Sequence, residues 1–331
     1  MKIFPFPLLL CDVGGTNMRF SHAEAPGGPV WRLGTLQTGE WSDLGAAAAH
    51  MLSGFGRGAS SLIVCAAGPM AGRRLQLTNA AWAIDGPAIA AHLGLEQGLL
   101  LNDFEALALS LPVVGETDAR RIGSPQGTVG TRIVLGPGTG MGLAALAETP
   151  AGLLVLPSEA GHIDFGPASD EEVRIWSYLD KTLGRVSAEW LLSGPGLERL
   201  HAARRAVAGL APSGLDAAAI GAAARAAPDG PEAATLRQFW QLVARYAGDM
   251  ALVLMARGGV TLAGGVLPKM ADFLDEAAFR AAFEAKAPLQ RLLRDMPVRL
   301  LTDDTVVERG MARIAASPQN YVIDYGARCW I

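Results

Sequence analysis

An apolar run, Leu8-Leu9-Leu10-Cys11, leads into Asp12-Val-Gly-Gly-Thr-Asn17, and Met18-Arg-Phe-Ser21 then resumes an extended pattern. This reads as a buried strand, a glycine turn and a returning strand. Gly14 and Gly15 carry no Cβ and can take positive φ, so backbone N–H groups can close on an anion. Thr16 and Asn17 add short polar side chains, and Asp12 sets a carboxylate at the strand end, where Mg²⁺ could sit. The chain has no Gly-Lys-Ser/Thr, which excludes the P-loop. A Gly-Gly hairpin has the same local composition, so the segment needs companions before it implies a function.

The length fits two domains, each with ample material for a core. Half of the residues are apolar and 18% are charged, the balance of a globular protein. The net charge is −4, and the arginine pairs at 73–74, 120–121 and 204–205 are too short to track a phosphate backbone. Nucleic acid is therefore not an expected partner. Cys11, Cys65 and Cys329 are odd in number and far apart, which predicts buried free thiols and a reducing compartment. The faintly signal-like start, residues 1–7, is broken by two prolines, and no apolar stretch reaches membrane-spanning length. A cytoplasmic protein without a membrane partner is the expectation.

Strand signals at Leu62–Cys65, Leu99–Leu101, Arg132–Leu135, Leu153–Leu156 and Val260–Ala263 alternate with alanine-rich helical stretches such as Ser42–Leu52 and Gly86–Leu93. That alternation predicts an α/β architecture. A long helix is expected over 234–257, with Leu236, Trp240, Val243, Ala247, Met250 and Leu254 on one face and Gly258-Gly259 as its stop. Leu210–Pro231 reads as a short peripheral helix between loops, residues 112–130 as a hinge between two lobes, and no tandem repeat is visible.

A second glycine segment, Gly136-Pro-Gly-Thr-Gly-Met-Gly142, follows the strand at 132–135, and Leu143–Ala147 reads as its return. Methionine at 141 breaks the dinucleotide fingerprint, so this is a second strand-turn-strand clasp. Ala263-Gly264-Gly265 ends a further strand, where missing side chains would let a flat purine and its ribose approach the backbone. Between the clasps stands Asn102-Asp103 at the end of an apolar strand. A hydroxyl attacking phosphorus must lose a proton, and Asp103 could accept it, while Asn102 can donate to and accept from hydroxyls. The pair could equally cap the helix 104–111, and both roles can coexist. Glu159 and His162 lie on an irregular loop with Gly161, a setting that suits hydroxyl recognition better than metal ligation. Glu189 sits at a helix start, where the dipole alone favours a carboxylate.

Together these segments resemble the bacterial-type glucokinase family in order over nearly the whole chain. The resemblance includes Leu77-Thr-Asn-Ala-Ala-Trp82, Val186-Ser-Ala-Glu189 and Leu192-Ser-Gly-Pro-Gly196 beside those above. It implies the two-lobed actin-like ATPase (ribonuclease H-like) fold shared with hexokinase and the heat-shock chaperone ATPases, with an interlobe active-site cleft. It also implies ATP- and Mg²⁺-dependent phosphorylation of glucose, and a homodimer. By that resemblance Asp103 is the catalytic base, and Asn102, Glu159, His162 and Glu189 hold the sugar hydroxyls. Thr78 and Asn79 belong to the small-lobe wall over the sugar, with Trp82 packed behind. Asp12, Gly14, Gly15, Thr16 and Asn17, with Gly138, Thr139 and Gly140, bracket the ATP phosphates, and Gly264 and Gly265 lie against the adenosine. Asp12 is the expected Mg²⁺ residue. Residues 1–112 with 304–331 would form the smaller lobe and 113–303 the larger. A kinase for another hexose is the alternative, as is a non-catalytic sugar sensor on the same fold. The chain departs from the family pattern at 304–310 and 321–331.

Overall fold

In the computed structural model, which describes residues 3–68, 70–77, 82–123, 128–179 and 184–330, the strand Leu8–Val13 is buried throughout except at Asp12. A strand so thoroughly apolar belongs in the middle of a parallel sheet. It pairs antiparallel with Asn17–Ala23 and parallel with Ser61–Ala66, which in turn pairs parallel with Gln97–Asn102. Val30–Gln37 extends the meander, and Cys329–Trp330 closes the opposite edge of this six-stranded sheet.

The crossovers follow local rules. Helix Leu44–Phe55 begins where Asp43 accepts from the Ala46 N–H and ends at Gly56, whose φ is 62°. Helix Gly86–Leu93 starts under the Asp85 cap and ends at left-handed Gly94. Two further helices, Asp103–Ser110 and Val306–Ala316, pack closely because Gly310 has no side chain: a Cβ there would lie 1.9 Å from Ser110 Oγ.

The chain divides into two compact units, Met1–Gly115 with Leu146–Leu156 and Asp303–Ile331, and Glu116–Ala145 with Pro157–Thr302. The second unit repeats the scheme of the first. Arg132–Pro137 pairs with its hairpin partner Met141–Thr149 and, in parallel, with Gly259–Leu262, which pairs in parallel with Val298–Leu301. Ala119–Ile122 adds an antiparallel strand. No sequence repeat announces this duplication; only the arrangement recurs.

The second unit's core surrounds helix Pro231–Val253, whose Leu236, Trp240, Val243, Ala247 and Met250 are all buried. This helix ends short of the expected glycine pair. Met255 takes a left-handed φ of 47°, and the Ala256 and Met255 N–H groups reach back to the Ala251 and Leu252 carbonyls. That is a Schellman stop with methionine where glycine is usual. Gly258 serves the following turn instead: a Cβ there would meet the Gly130 carbonyl at 2.4 Å. The expected peripheral helix is Ala217–Ala226. Cys11, Cys65 and Cys329 are free and buried. Among the described residues no helix is long and apolar enough to cross a membrane.

Candidate active site

In the first unit, Asp12 and Asn102 lie at the carboxyl ends of two parallel strands with Ser61–Ala66 between them, and Cys65 stands directly beside Asp12 in register. The carboxyl edge of such a sheet is where α/β folds place ligands. The Asn102 side chain accepts from the N–H groups of Phe104 (3.0 Å) and Glu105 (3.2 Å), and Glu105 Oε2 accepts from the Asn102 N–H (3.3 Å). This is a complete capping box, so Asn102 is the cap and Asp103 the first helical residue. Asp103 Oδ1 accepts from the Phe104 N–H at 2.9 Å. Burial pushes the Asp103 carboxyl above its usual range, the Phe104 N–H pulls it back, and the Asp12 charge adds to the rise.

The first glycine turn is closed by Gly14 itself, whose N–H donates to the Asn17 carbonyl at 2.8 Å. Gly14 does not use the left-handed region, and its N–H is spent inside the protein. Thr38, fully buried, pins the turn from outside: its N–H donates to the Thr16 carbonyl and its hydroxyl to the Gly14 carbonyl, both at 2.8 Å. Asp12 accepts from Arg19 Nη1 at 2.9 Å and from the Cys65 thiol at 3.5 Å. Arg19 approaches Asp304, which also receives Arg32, and Arg32 lies 3.0 Å from buried Glu308. Despite that guanidinium, burial raises the Glu308 carboxyl to about 7.

The second unit assembles the other expected groups. Glu159 leads into the short turn Ala160–His162, and His162 lies within 3.8 Å of Glu159 and 3.9 Å of Glu189. Glu189 stands in the first turn of Ala188–Leu191 under a Ser187 cap, and its Oε2 accepts from the Met141 N–H at 2.9 Å. The helix dipole therefore does not account for Glu189 alone, because its carboxylate holds the end of the second glycine turn. Gly140 and Gly161 permit this assembly: a Cβ at 140 would sit 2.4 Å from Glu189 Oε2, and one at 161 would sit 2.2 Å from the Met141 carbonyl.

Two further glycines there serve the chain's own packing. A Cβ on Gly136 would meet the Ala263 carbonyl at 1.9 Å, and one on Gly264, whose φ is 86°, would meet the Pro137 carbonyl at 2.4 Å. Protein backbone lies where a Gly264 side chain would go, so the chain's own packing requires glycine at that position independently of any ligand. Gly138 and Gly265 do face open space. Thr139 sits beside Gly138 in the same turn, whose Gly138 N–H is taken by the Gly140 carbonyl at 2.8 Å. Asn79 and Thr78 lie outside the described residues; Trp82 packs against the first unit's core.

A sequence model described as Glucokinase matches residues 9–318. The chain belongs to the glucokinase family. It is 38% identical to a glucokinase of Sinorhizobium medicae, covering 99% of this chain and 97% of that protein. A glucokinase of Brucella suis is 36% identical, covering 99% and 96%. The crystal structure of a glucokinase from an Antarctic psychrotroph aligns with a TM-score of 0.84 at 32% identity, over 94% of this chain and 99% of that one. The structure of a Balamuthia mandrillaris glucokinase in complex with glucose gives a TM-score of 0.77 at 21% identity, over 93% of each chain, a likeness of fold. The fold is the α/β actin-like ATPase fold, and this member of the glucokinase family is a hexose kinase.

Within that family frame, several contributors went unread in the sequence. Arg19 was detectable, because a turn pairing Val13 with Met18 places Asp12 opposite Arg19. Thr38, Arg32 and Glu308 gave no local signal, being brought in from the strand Val30–Gln37, the turn directly after it and a distant helix.

Proposed function

We propose that the chain transfers the γ-phosphoryl group of ATP to the 6-hydroxyl of glucose, with Asp103 as general base. The observation that carries this reading is the Asp103 carboxylate. It is half-buried, stands at the head of a capped helix on a sheet's carboxyl edge, and has one oxygen tied to the Phe104 N–H. A fixed carboxylate with a raised proton affinity can take the hydroxyl proton as the oxygen attacks phosphorus. Glu159, His162 and Glu189 hold the remaining sugar hydroxyls, helped by the amide of Asn102 that capping leaves over. Their carboxylates and imidazole offer acceptors and donors within about one hydroxyl's span of each other.

The two glycine turns take the ATP phosphates, with Gly15, Thr16 and Asn17 in one and Gly138, Thr139 and Gly140 in the other. The open side of Gly138 suits the approach of a bulky anion. Gly265 offers open space to the adenosine. Mg²⁺ keeps most of its waters and takes one or two carboxylates, so Asp12, already shared with Arg19, fits it through water rather than directly. The ion would neutralise charge on the phosphates. A cytoplasmic homodimer accords with the buried free thiols and with the family.

A coupled assay of ADP release across hexoses and phosphoryl donors tests the reading. Glucose with ATP and Mg²⁺ should give the highest kcat/KM. Turnover with no hexose, or only with ADP or polyphosphate as donor, would overturn it.

A further inference from the structure

Residues 321–330 lie beyond the stretch that the family match covers, which ends at 318, and they are tied to the Asn102–Asp103 corner. Asp324 caps the turn Tyr325–Arg328 by accepting from the Ala327 N–H at 3.0 Å. Cys329 and Trp330 then pair antiparallel with Leu99 and Gly98, on the very strand that ends in Asn102. Trp330 is 1% exposed, and its indole fills the space above two glycines: Cβ atoms on Gly86 and Gly98 would lie 2.4 Å and 2.2 Å from it. The tail is thereby fixed in register beside the strand.

That register delivers Arg328 to Glu105. The guanidinium Nη1 donates to Glu105 Oε1, while Glu105 Oε2 accepts from the Asn102 N–H at 3.3 Å. Both side chains are largely covered, at 26% and 12% exposure. Glu105 therefore has two duties, one oxygen for the capping box and one for Arg328. Without the guanidinium, a nearly buried carboxylate loses its counter-charge and is free to swing toward water. The capping box would then lose the member that holds the Asn102 backbone.

We infer that Arg328 is a positioning residue for phosphoryl transfer: through Glu105 it sets the capping box and hence the direction in which Asp103 presents its carboxylate. This rests on the reading of Asp103 as the base. A misplacement of a catalytic group by about 1 Å can cost on the order of 10²-fold in rate, so a contact two residues removed can matter.

The test is steady-state kinetics and thermal melting of the full chain as wild type, Arg328→Met, Arg328→Lys, Glu105→Gln and the Arg328→Met/Glu105→Gln double variant. Arg328→Met should lower kcat by roughly tenfold or more with KM for ATP unchanged. Arg328→Lys should recover much of the loss. The double variant should be no worse than the poorer single one, since both changes break one chain of contacts. A merely structural tie predicts a lower melting temperature with kcat within about twofold of wild type, or losses that multiply in the double variant; either result overturns the inference. Should Arg328→Met not fold, Arg328→Gln, alone and combined with Glu105→Gln, supplies the same cycle. An inactive wild type would sink the functional reading and this inference with it, whereas an active wild type beside an equally active Arg328→Met sinks the inference alone.

Discussion

Carboxylates of the two units live under opposite conditions. In the first unit Glu308 is buried and Asp103 half-buried, and desolvation raises the proton affinity of both. In the second, the side chains of Glu159, His162 and Glu189 are 93%, 55% and 35% exposed. Burial makes ionisation costly and stores reactivity in the group. Exposure leaves a group well solvated until a ligand displaces the water. On the proposed reading, the first unit moves a proton and the second recognises hydroxyls. Both arrangements use the same hairpin plan, so the division of labour comes from surroundings rather than from local sequence.

Asp103→Asn probes the contrast most severely. Turnover should fall by about 10²–10⁴, whereas the melting temperature at pH 7–8 should not fall. The sign follows from linkage. A folded pKa above the unfolded one gives stability that is present at low pH and lost as pH rises through the folded value, so the ionised wild type bears a cost the amide lacks. Near-normal turnover in a folded variant would remove Asp103 from its assigned role. Glu308→Gln isolates burial without chemistry. With the wild-type carboxyl raised from 4.5 to about 7, its stabilising protonation is lost between those values. The variant should therefore gain relative to wild type by up to roughly 3 kcal/mol at pH 8.5, and by less at pH 5.5. Melting curves at the two pH values that show a constant difference would defeat this account.

Gly140→Ala addresses the second unit. The new methyl group displaces a flexible carboxylate end rather than backbone, freeing the Met141 N–H from Glu189. KM for the hexose should rise about tenfold as Glu189 leaves its anchored position, and the unsatisfied Met141 N–H should lower stability by roughly 1–3 kcal/mol. An unaltered KM would show that Glu189 does not need that anchor. Glu159→Gln should have the smallest effect, a few-fold rise in KM with kcat preserved, because an exposed charge contributes under about 1 kcal/mol. A large fall in kcat there would erase the distinction between the two sets of carboxylates.

Much of this was readable from the chain. Continuous apolar runs ending in glycines gave the strand-turn-strand units, because a buried central strand allows few other compositions. Alanine-rich stretches between the strand signals gave the crossover helices. The stop at Met255 was hidden because a residue other than glycine took the left-handed position. The excursion of 146–156 into the first unit carried no composition change. Asp103, Glu159, His162 and Glu189 were legible as chemistry-bearing types at strand and helix ends. Glycine roles were harder: Gly136, Gly140 and Gly264 look like ligand clasps locally, yet tertiary neighbours dictate their absence of side chains. Arg328 and Glu105 are separated by 223 positions, and no periodicity spans such a gap.

The closing strand at Cys329–Trp330 and the helix Val306–Ala316 have a consequence for biosynthesis. All residues assigned to the second unit have been translated once Thr302 is made, but the first unit, although begun earliest, still awaits its sheet edge. Domains generally mature in the order they are translated. Here the later-translated unit can complete itself while its predecessor remains unfinished, leaving the Leu99 strand with an open hydrogen-bonding border until translation reaches the tryptophan.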